Sequence, residues 1–182
     1  ELGIYLDANE NPYDNNYNRY PDPHQKLLKQ KIAALKGVRE EQVFIGNGSD
    51  EAIDLCYRIF CRPGVDNAVS IAPTYGMYRV AADINDVEMR EVPLGADFSL
   101  PTDALLAAAD ERTRLLWLCS PNNPTGNAFP AAGIERLLRE FIMPDTFSAI
   151  SISSEGSGGF AGSTGSGSAS GMIAASGSPV NV

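Results

Sequence analysis

Hydrophobic residues in this chain recur with two different spacings, and segments of the two kinds alternate along it. Short apolar runs typical of strands occur at residues 4–6, 43–45, 68–71 and 115–119, and residues 87–92 alternate between apolar and charged as a half-exposed strand does. Apolar residues spaced three to four apart, typical of amphipathic helices, occur in the segments that begin near Gln25, Ser49, Tyr75, Thr102 and Ala131. This alternation predicts an α/β fold built from βαβ units, with a mainly parallel sheet flanked by helices.

The apolar run at 115–119 leads directly into the sequence SPNNPTG at 120–126. A continuous apolar run predicts a strand buried on both faces, and ligands of open α/β sheets bind at the carboxyl ends of such strands. The two prolines restrict the backbone, so that the amides of Asn122 and Asn123 lie on a stiff loop. A short Pro/Asn/Gly cluster is also typical of an ordinary turn between a strand and a helix.

Two other predicted strand ends carry candidate ligand-binding residues. The run at 43–45 leads through Gly48 into a helix at Ser49 and Asp50, where free backbone N–H groups and the helix dipole favour a phosphate. Taken alone, Ser49 is more simply explained as a helix N-cap, with Asp50 complementing the dipole. Tyr75 follows the next strand, and its ring suits stacking on a flat heteroaromatic group, although tyrosines at helix starts more often only pack.

Charge and composition exclude some classes of function. The formal net charge of -9 and the pI near 4.5 argue against nucleic-acid binding, which needs clustered Lys and Arg. We find neither a membrane-spanning apolar run nor a signal segment, which favours the cytosol. Cys56, Cys61 and Cys119 show no metal-binding spacing, so we expect reduced, structural cysteines and no metal site. His24 is interpreted as a surface residue at a helix start.

The composition changes abruptly after Phe141. From residue 142 to 182 there is no Lys or Arg, and only Asp145 and Glu155 carry charge. Roughly half of these residues are Ser or Gly, which is typical of flexible coil and predicts no buried strand, although residues 149–152 could pair briefly. The segment is either a linker to a further domain or the product of a frame change or artificial junction. We favour the second, because a helix ending at Phe141 should lead to another core strand.

Several motifs together indicate a family. With RYPDP at 19–23, GNGSDE at 46–51 and PTYGMY at 73–78, the SPNNPTG loop makes the segment from about 4 to 141 resemble histidinol-phosphate aminotransferases. These belong to the fold-type I pyridoxal-phosphate-dependent aminotransferases. By that resemblance, Gly48 and the backbone amides of Ser49 and Asp50 would hold the phosphate of pyridoxal 5'-phosphate. Tyr75 would stack on the pyridine ring, and Asn123 would hydrogen-bond its 3-oxygen.

The resemblance also implies partners, a reaction and a domain division. Tyr20 would reach the phosphate of the other subunit's cofactor in a homodimer, and Asn9, in an NENP segment, would lie near the substrate. The implied reaction moves an amino group reversibly between L-histidinol phosphate and 2-oxoglutarate in histidine biosynthesis. We divide the chain into an N-terminal arm at 1–24, a truncated cofactor-binding large domain at 25–141, and a disordered or out-of-frame tail at 142–182. Because the chain starts at Glu1, we expect it to begin inside a longer protein.

The sequence departs from the family pattern where catalysis should reside. The resemblance implies a Schiff-base lysine, an aspartate for the pyridinium nitrogen, a second tyrosine for the ring oxygen and a carboxylate-binding arginine, all beyond Phe141. No lysine follows Lys36, and all four lysines lie within 26–36. We therefore assign no catalytic residue and expect this chain to be inactive. Two alternatives stay open: another amine specificity, as in aromatic aminotransferases or threonine-phosphate decarboxylases, and a non-catalytic fragment.

Overall fold

The computed structural model describes residues 8–141, 147–152 and 171–177 of the chain. It divides into two units, Glu1–Ile45 and Gly46–Val182. In the first unit, α1 (Lys26–Lys36) starts where the Asp22 carboxylate accepts a hydrogen bond from the Lys26 backbone N–H at 3.0 Å. It ends at Gly37, whose φ of 65° suits a left-handed helix cap. A 3-10 turn follows at Glu40–Gln42.

The apolar face predicted for α1 is not buried. Leu27 and Leu35 are each 78% exposed, and Ala33 is the buried residue of the helix. The 3-10 turn, the other regular element described in this unit, is too short to cover a helix of three turns. The helix is therefore confirmed as an element, although most of its apolar stripe is exposed among the described residues.

The short strand predicted at residues 43–45 is also wrong. The backbone is extended at Val43, with φ of -107° and ψ of 118°, but no described strand pairs with this run. Phe44 is 60% exposed. A three-residue apolar run has the composition of a strand, but an extended segment becomes one only when a neighbour supplies ladder hydrogen bonds. The strand-like run at residues 4–6 lies outside the described residues.

The described residues of the second unit form a sheet flanked by four helices. Its order is β2-β1-β3-β5-β4, with β1 parallel to both β2 and β3, whereas β5 is antiparallel to β3 and β4. This confirms the predicted α/β fold class, because the parallel strands β2, β1 and β3 form a sheet flanked by helices. The elements are α2 (Ser49–Phe60), β1 (Asn67–Ala72), α3 (Met77–Ile84), β2 (Glu88–Pro93), α4 (Thr102–Ala108), β3 (Thr113–Ser120), α5 (Ala131–Phe141), β4 (Phe147–Ile152) and β5 (Gly171–Gly177).

The two adjacent parallel strands β1 and β3 are covered on both faces, as the continuous apolar run in β3 predicts. On one face, Trp117 packs with residues of α2 and α3, and its ring stacks on Tyr78 with centroids 4.8 Å apart. On the other face, Leu116 and Leu118 pack with Leu105 of α4 and residues of α5. Successive residues of a strand point to opposite faces, so a single run of large apolar side chains supplies both layers.

The tail contains two strands that the sequence did not predict as core elements. β4 includes residues 149–152, where only brief pairing was expected, and β5 lies between β4 and β3. The difference has a physical reason: the free edge of β3 offers a row of backbone hydrogen-bonding groups, which a segment can use whatever its side chains. Residues 142–146, 153–170 and 178–182 lie outside the described residues, so the expectation of a disordered tail stays a prediction there. No helix in the described parts of the chain is long and apolar enough to cross a membrane.

A buried carboxylate fixes the amino ends of β1 and β3. The Asp66 side chain is 1% exposed and accepts hydrogen bonds from Arg62, from its backbone N–H at 2.8 Å and from Nη2 at 2.8 Å. Arg114, in β3, approaches the same carboxylate with Nε at 3.3 Å. These hydrogen bonds, led by the Arg62 side chain, lower the pKa of Asp66 to about 2.

We expect Asp66→Asn to lower the free energy of unfolding at pH 7 by at least about 2 kcal/mol, because two arginines lose their charged partner. The folded-state pKa lies below the ordinary value of 3.8, so the carboxylate stabilises the fold above about pH 4 and less as the pH falls toward 2. The difference from wild type should therefore narrow by about 1 kcal/mol at pH 3 in urea denaturation.

Asp83→Asn is the matched control for this experiment. Its carboxylate is 65% exposed and lies 4.0 Å from Arg79. We expect the control to lose less than about 1 kcal/mol, because exposed ion pairs contribute little. A loss at Asp66 that does not change between pH 7 and pH 3 would contradict the assignment of the stabilisation to the ionised carboxylate.

Candidate functional site

The carboxyl ends of β1 and β3 lie side by side, because the two strands are adjacent and parallel. The loop after β1 carries Pro73, Thr74 and Tyr75, and the loop after β3 carries SPNNPTG. Crevices beyond the carboxyl ends of parallel strands are where α/β sheets bind ligands. The strand order therefore brings two of the three predicted ligand-binding stretches to one edge of the sheet.

The third stretch lies at the start of α2. Gly48 precedes the helix with φ of 83° and ψ of -179°, a conformation essentially restricted to glycine. The Glu51 carboxylate, in the first turn of α2, accepts a hydrogen bond from the Asn47 backbone N–H and so joins the helix to the turn before it. The first backbone N–H groups of the helix, including those of Ser49 and Asp50, have no acceptor within the helix. This start of α2 has the local geometry of an anion-binding site.

A hydrogen bond connects the start of α2 to the loop after β1. The Tyr75 hydroxyl donates to Asp50 Oδ1 at 2.8 Å. This bond raises the pKa of Tyr75, because loss of its proton would put a phenolate beside the Asp50 carboxylate, and burial raises it further. Gly48, Ser49, Asp50 and Tyr75 are thus brought together at the carboxyl edge of the sheet. Sequence spacing alone could not establish this, since 25 residues separate the bonded pair.

The two asparagines of the SPNNPTG loop have opposite environments. Asn122 is 2% exposed, and its side chain bonds to the loop after β1: Nδ2 donates to the Pro73 carbonyl at 3.0 Å, and Oδ1 accepts from Thr74 Oγ1 at 2.8 Å. Asn123 is exposed and makes no hydrogen bond with any described residue. Its amide is therefore available to a ligand at the edge where Tyr75 lies.

The two predicted residues of the arm lie in the first unit. Asn9 and Tyr20 are both exposed, and Tyr20 is 67% exposed. Glu10, next to Asn9, accepts a hydrogen bond from the Tyr20 backbone N–H at 2.7 Å and pairs with Arg19 Nη1 at 2.6 Å. The Arg19 hydrogen bond and then the Tyr20 N–H lower the pKa of Glu10. Glu10 thereby holds the two segments that carry Asn9 and Tyr20 beside each other.

Sequence reasoning did not predict the connecting roles of three residues that organise these segments. Glu10 connects the two parts of the arm, whereas Thr74 and Asn122 connect the loops after β1 and β3. The prolines of SPNNPTG indicated a stiff loop, but they gave no sign of which asparagine faces inward. Thr74, directly before Tyr75, has a hydroxyl that could hydrogen-bond a buried amide, and this was the available signal. It was a weak one, because many threonines in turns hydrogen-bond to nearby backbone instead.

A cavity of about 350 Å³ lies at the opposite end of the strands. Its lining includes Asp66, Asp83, Asp86 and Glu88, with Arg112 as the arginine among its lining residues. Several carboxylates would repel a phosphate, so this cavity is a poor alternative to the carboxyl edge. Within the part of the chain that the structure describes, no group of three or more His, Cys, Asp and Glu residues could hold a metal ion.

Sequence comparison identifies relatives of most of the chain. The family model for aminotransferase class I and II matches residues 6–142. The histidinol-phosphate aminotransferase of Bacteroides fragilis is 56% identical over 138 residues, which is 76% of this chain and 40% of the relative. The chain therefore spans about two fifths of the length of the curated relatives it matches.

Structure comparison agrees with the sequence comparison. The histidinol-phosphate aminotransferase of Sinorhizobium meliloti, solved in complex with pyridoxal-5'-phosphate, has a TM-score of 0.61 and 25% identity, covering 67% of this chain and 33% of that one. The N-succinyldiaminopimelate aminotransferase of Mycobacterium tuberculosis has a TM-score of 0.60 and 30% identity, covering 69% and 36%. The architecture is similar to part of the aminotransferase fold.

We expect Gly48→Ala to destabilise the second unit by about 1–3 kcal/mol, because its backbone conformation is strained for any residue with a Cβ. Gly76→Ala is the matched control, since Gly76 also precedes a helix but has an ordinary φ of -62°. A Cβ at either glycine meets no atom within 4 Å, so crowding does not distinguish them. Urea denaturation of both variants checks this, and equal losses would contradict the conformational explanation.

Proposed function

Because the chain belongs to the aminotransferase class I and II family, we propose that it forms the phosphate-side and ring-side part of a pyridoxal-phosphate site in a histidinol-phosphate aminotransferase. The reaction proposed for the whole enzyme is transfer of an amino group between L-histidinol phosphate and 2-oxoglutarate, in the cytosol, as a step of histidine biosynthesis. The single observation that carries the proposal is the convergence of Gly48, Ser49, Asp50, Tyr75 and the Asn123 loop at one edge of the sheet.

The start of α2 suits the phosphate group of this cofactor. The backbone N–H groups of Ser49 and Asp50 and the positive end of the helix dipole favour an anion there. Both nearby carboxylates are engaged by other groups, Asp50 by the Tyr75 hydroxyl and Glu51 by the Asn47 N–H. These hydrogen bonds partly offset the negative charge of the two carboxylates. Gly48 would contribute by letting the backbone approach the phosphate closely.

Tyr75 and Asn123 suit the pyridine ring of the cofactor. The Tyr75 hydroxyl is fixed by Asp50, so that the ring of Tyr75 has a defined orientation for stacking. The free amide of Asn123 would donate a hydrogen bond to the 3-oxygen. When bound, pyridoxal phosphate supplies the electron-withdrawing ring that takes up electrons from the substrate carbon, whereas the protein binds and orients it.

The arm would complete the site from a second subunit. The proposed homodimer has Tyr20 reaching the phosphate of the other subunit's cofactor and Asn9 near the substrate. In support, the Tyr20 side chain is 67% exposed, and its hydroxyl makes no hydrogen bond with any described residue. Glu10 would keep the two residues in a fixed relation, because it accepts from the Tyr20 N–H.

Two alternatives have observations in their favour. Another amine specificity on the same fold is supported by the similarity to the Mycobacterium tuberculosis N-succinyldiaminopimelate aminotransferase, whose name indicates a different amine substrate. Cofactor binding without turnover by this 182-residue chain is supported by its lysines, which all lie in α1. Lys26 and Lys31 are exposed there, on the surface of the helix.

We expect Asn123→Ala to weaken binding of pyridoxal phosphate by about 10-fold to 100-fold, because it removes a hydrogen bond to a charged oxygen worth about 1.5–3 kcal/mol. The measurement is a titration of the 182-residue chain, followed by the change in cofactor absorbance. Unfolding free energy should not change, since Asn123 bonds to no described residue.

Glu111→Gln is the control for this titration, because Glu111 is exposed in the turn that precedes β3, at the other end of the strand. It should bind the cofactor as wild type does. Failure of the wild-type chain to bind pyridoxal phosphate saturably would contradict the proposed function. Equal affinity of wild type and Asn123→Ala would remove Asn123 from the site.

A further inference from the structure

Asn122 is buried and fully hydrogen-bonded, whereas its neighbour Asn123 is exposed. Asn122 is 2% exposed, and its side-chain amide uses all its polar atoms: Nδ2 donates to the Pro73 carbonyl at 3.0 Å and to Thr125 Oγ1 at 2.8 Å, and Oδ1 accepts from Thr74 Oγ1 at 2.8 Å. Its backbone closes its own turn, since its N–H donates to the Asn127 carbonyl at 2.8 Å and its carbonyl accepts from the Gly126 N–H at 2.7 Å.

These bonds lie beyond the end of the backbone ladder. The pairing of β1 with β3 runs from Asn67 and Thr113 to Ser70 and Trp117. Past that point, each strand continues into its loop without pairing to the other. The Asn122 side chain therefore supplies a connection between the two loops after the ladder stops, through Pro73 and Thr74 on one side and Thr125 on the other.

The connected loops carry the two proposed ring contacts. Thr74 directly precedes Tyr75, and Asn122 directly precedes Asn123. Stacking and hydrogen bonding to one rigid ring need both groups at fixed separation, since a displacement of about 1 Å is enough to lose such an interaction. A buried, fully bonded amide between the adjacent residues is a means of fixing that separation.

We propose that Asn122 is a positioning residue, which holds the ring of Tyr75 and the amide of Asn123 in register so that one planar cofactor ring engages both. This inference rests on the proposed function for its ligand. The connection between the loops does not depend on the proposed function, because it is a property of the protein without cofactor. Thr74 is the partner through which Asn122 acts on the loop of Tyr75.

A purely structural role is the competing explanation, and Ser70 supplies the control for it. The Ser70 hydroxyl donates to the Trp117 carbonyl at 3.2 Å. This buried hydrogen bond also joins β1 to β3, but it lies within the backbone ladder. Ser70→Ala should lower stability without altering the loops. Thr74→Val removes one bond to Asn122 and leaves its buried Oδ1 unpaired, whereas Thr74→Ser keeps the hydroxyl.

The first experiment measures amide hydrogen exchange of the chain without cofactor. In Asn122→Ala and in Thr74→Val, we expect the amides of Gly126 and Tyr78, one from each loop region, to exchange at least about tenfold faster relative to the core amide of Leu116. These amides donate to Asn122 and to Tyr75, respectively. Thr74→Ser and Ser70→Ala should keep the wild-type ratios. Faster exchange confined to the mutated loop would overturn the connection between the loops.

The second experiment measures the affinity of the same variants for pyridoxal phosphate. Asn122→Ala and Thr74→Val should bind about tenfold more weakly, with Thr74→Ser and Ser70→Ala within about twofold of wild type. Equal weakening by Ser70→Ala would assign the effect to stability and overturn the positioning role. If wild type does not bind the cofactor, the proposed function fails, and the exchange experiment still decides whether Asn122 connects the loops. If Asn122→Ala does not fold, the Thr74 pair decides both points.

Discussion

The parallel pairing of β1 with β3 is the constraint on which the candidate site depends. Both strands are buried on both faces, with Trp117 on the side of α2 and α3 and Leu116 on the side of α4 and α5. A register shift of one residue would move every one of these side chains into the wrong layer. The strand ends are therefore fixed relative to each other, and the loops that follow them start from fixed points.

Electrostatics determines how well the proposed site could bind a phosphate. The chain carries a formal net charge of -9, and two carboxylates, Asp50 and Glu51, lie in the first turn of α2. Attraction for an anion there comes from backbone N–H groups and the helix dipole, and these act against the net charge of the chain. Tyr75 and Asn47 engage the two carboxylates, which makes the helix start compatible with an anion. Tight binding would need cationic or hydroxyl groups from elsewhere, such as Tyr20 of a second subunit.

The parts of the fold that sequence predicted are those set by local pattern. The continuous apolar run of β3 could only be accommodated by a strand covered on both faces. The run at 43–45 had the same composition, but the sequence carried no information about a pairing neighbour, and none is described. In the site, Gly48 and Tyr75 were recognisable from motifs. The inward orientation of Asn122 was not, because it depends on Thr74, which is 48 residues away.

We propose that this chain holds binding groups for pyridoxal phosphate, whereas all four of its lysines lie in α1. The most direct measurement incubates the chain with pyridoxal phosphate, reduces it with borohydride, and maps labelled residues by mass spectrometry beside an assay with L-histidinol phosphate and 2-oxoglutarate. We expect scattered, substoichiometric labelling over the four lysines of α1 and no turnover. One stoichiometrically labelled lysine together with turnover would contradict the claim and locate catalysis in α1.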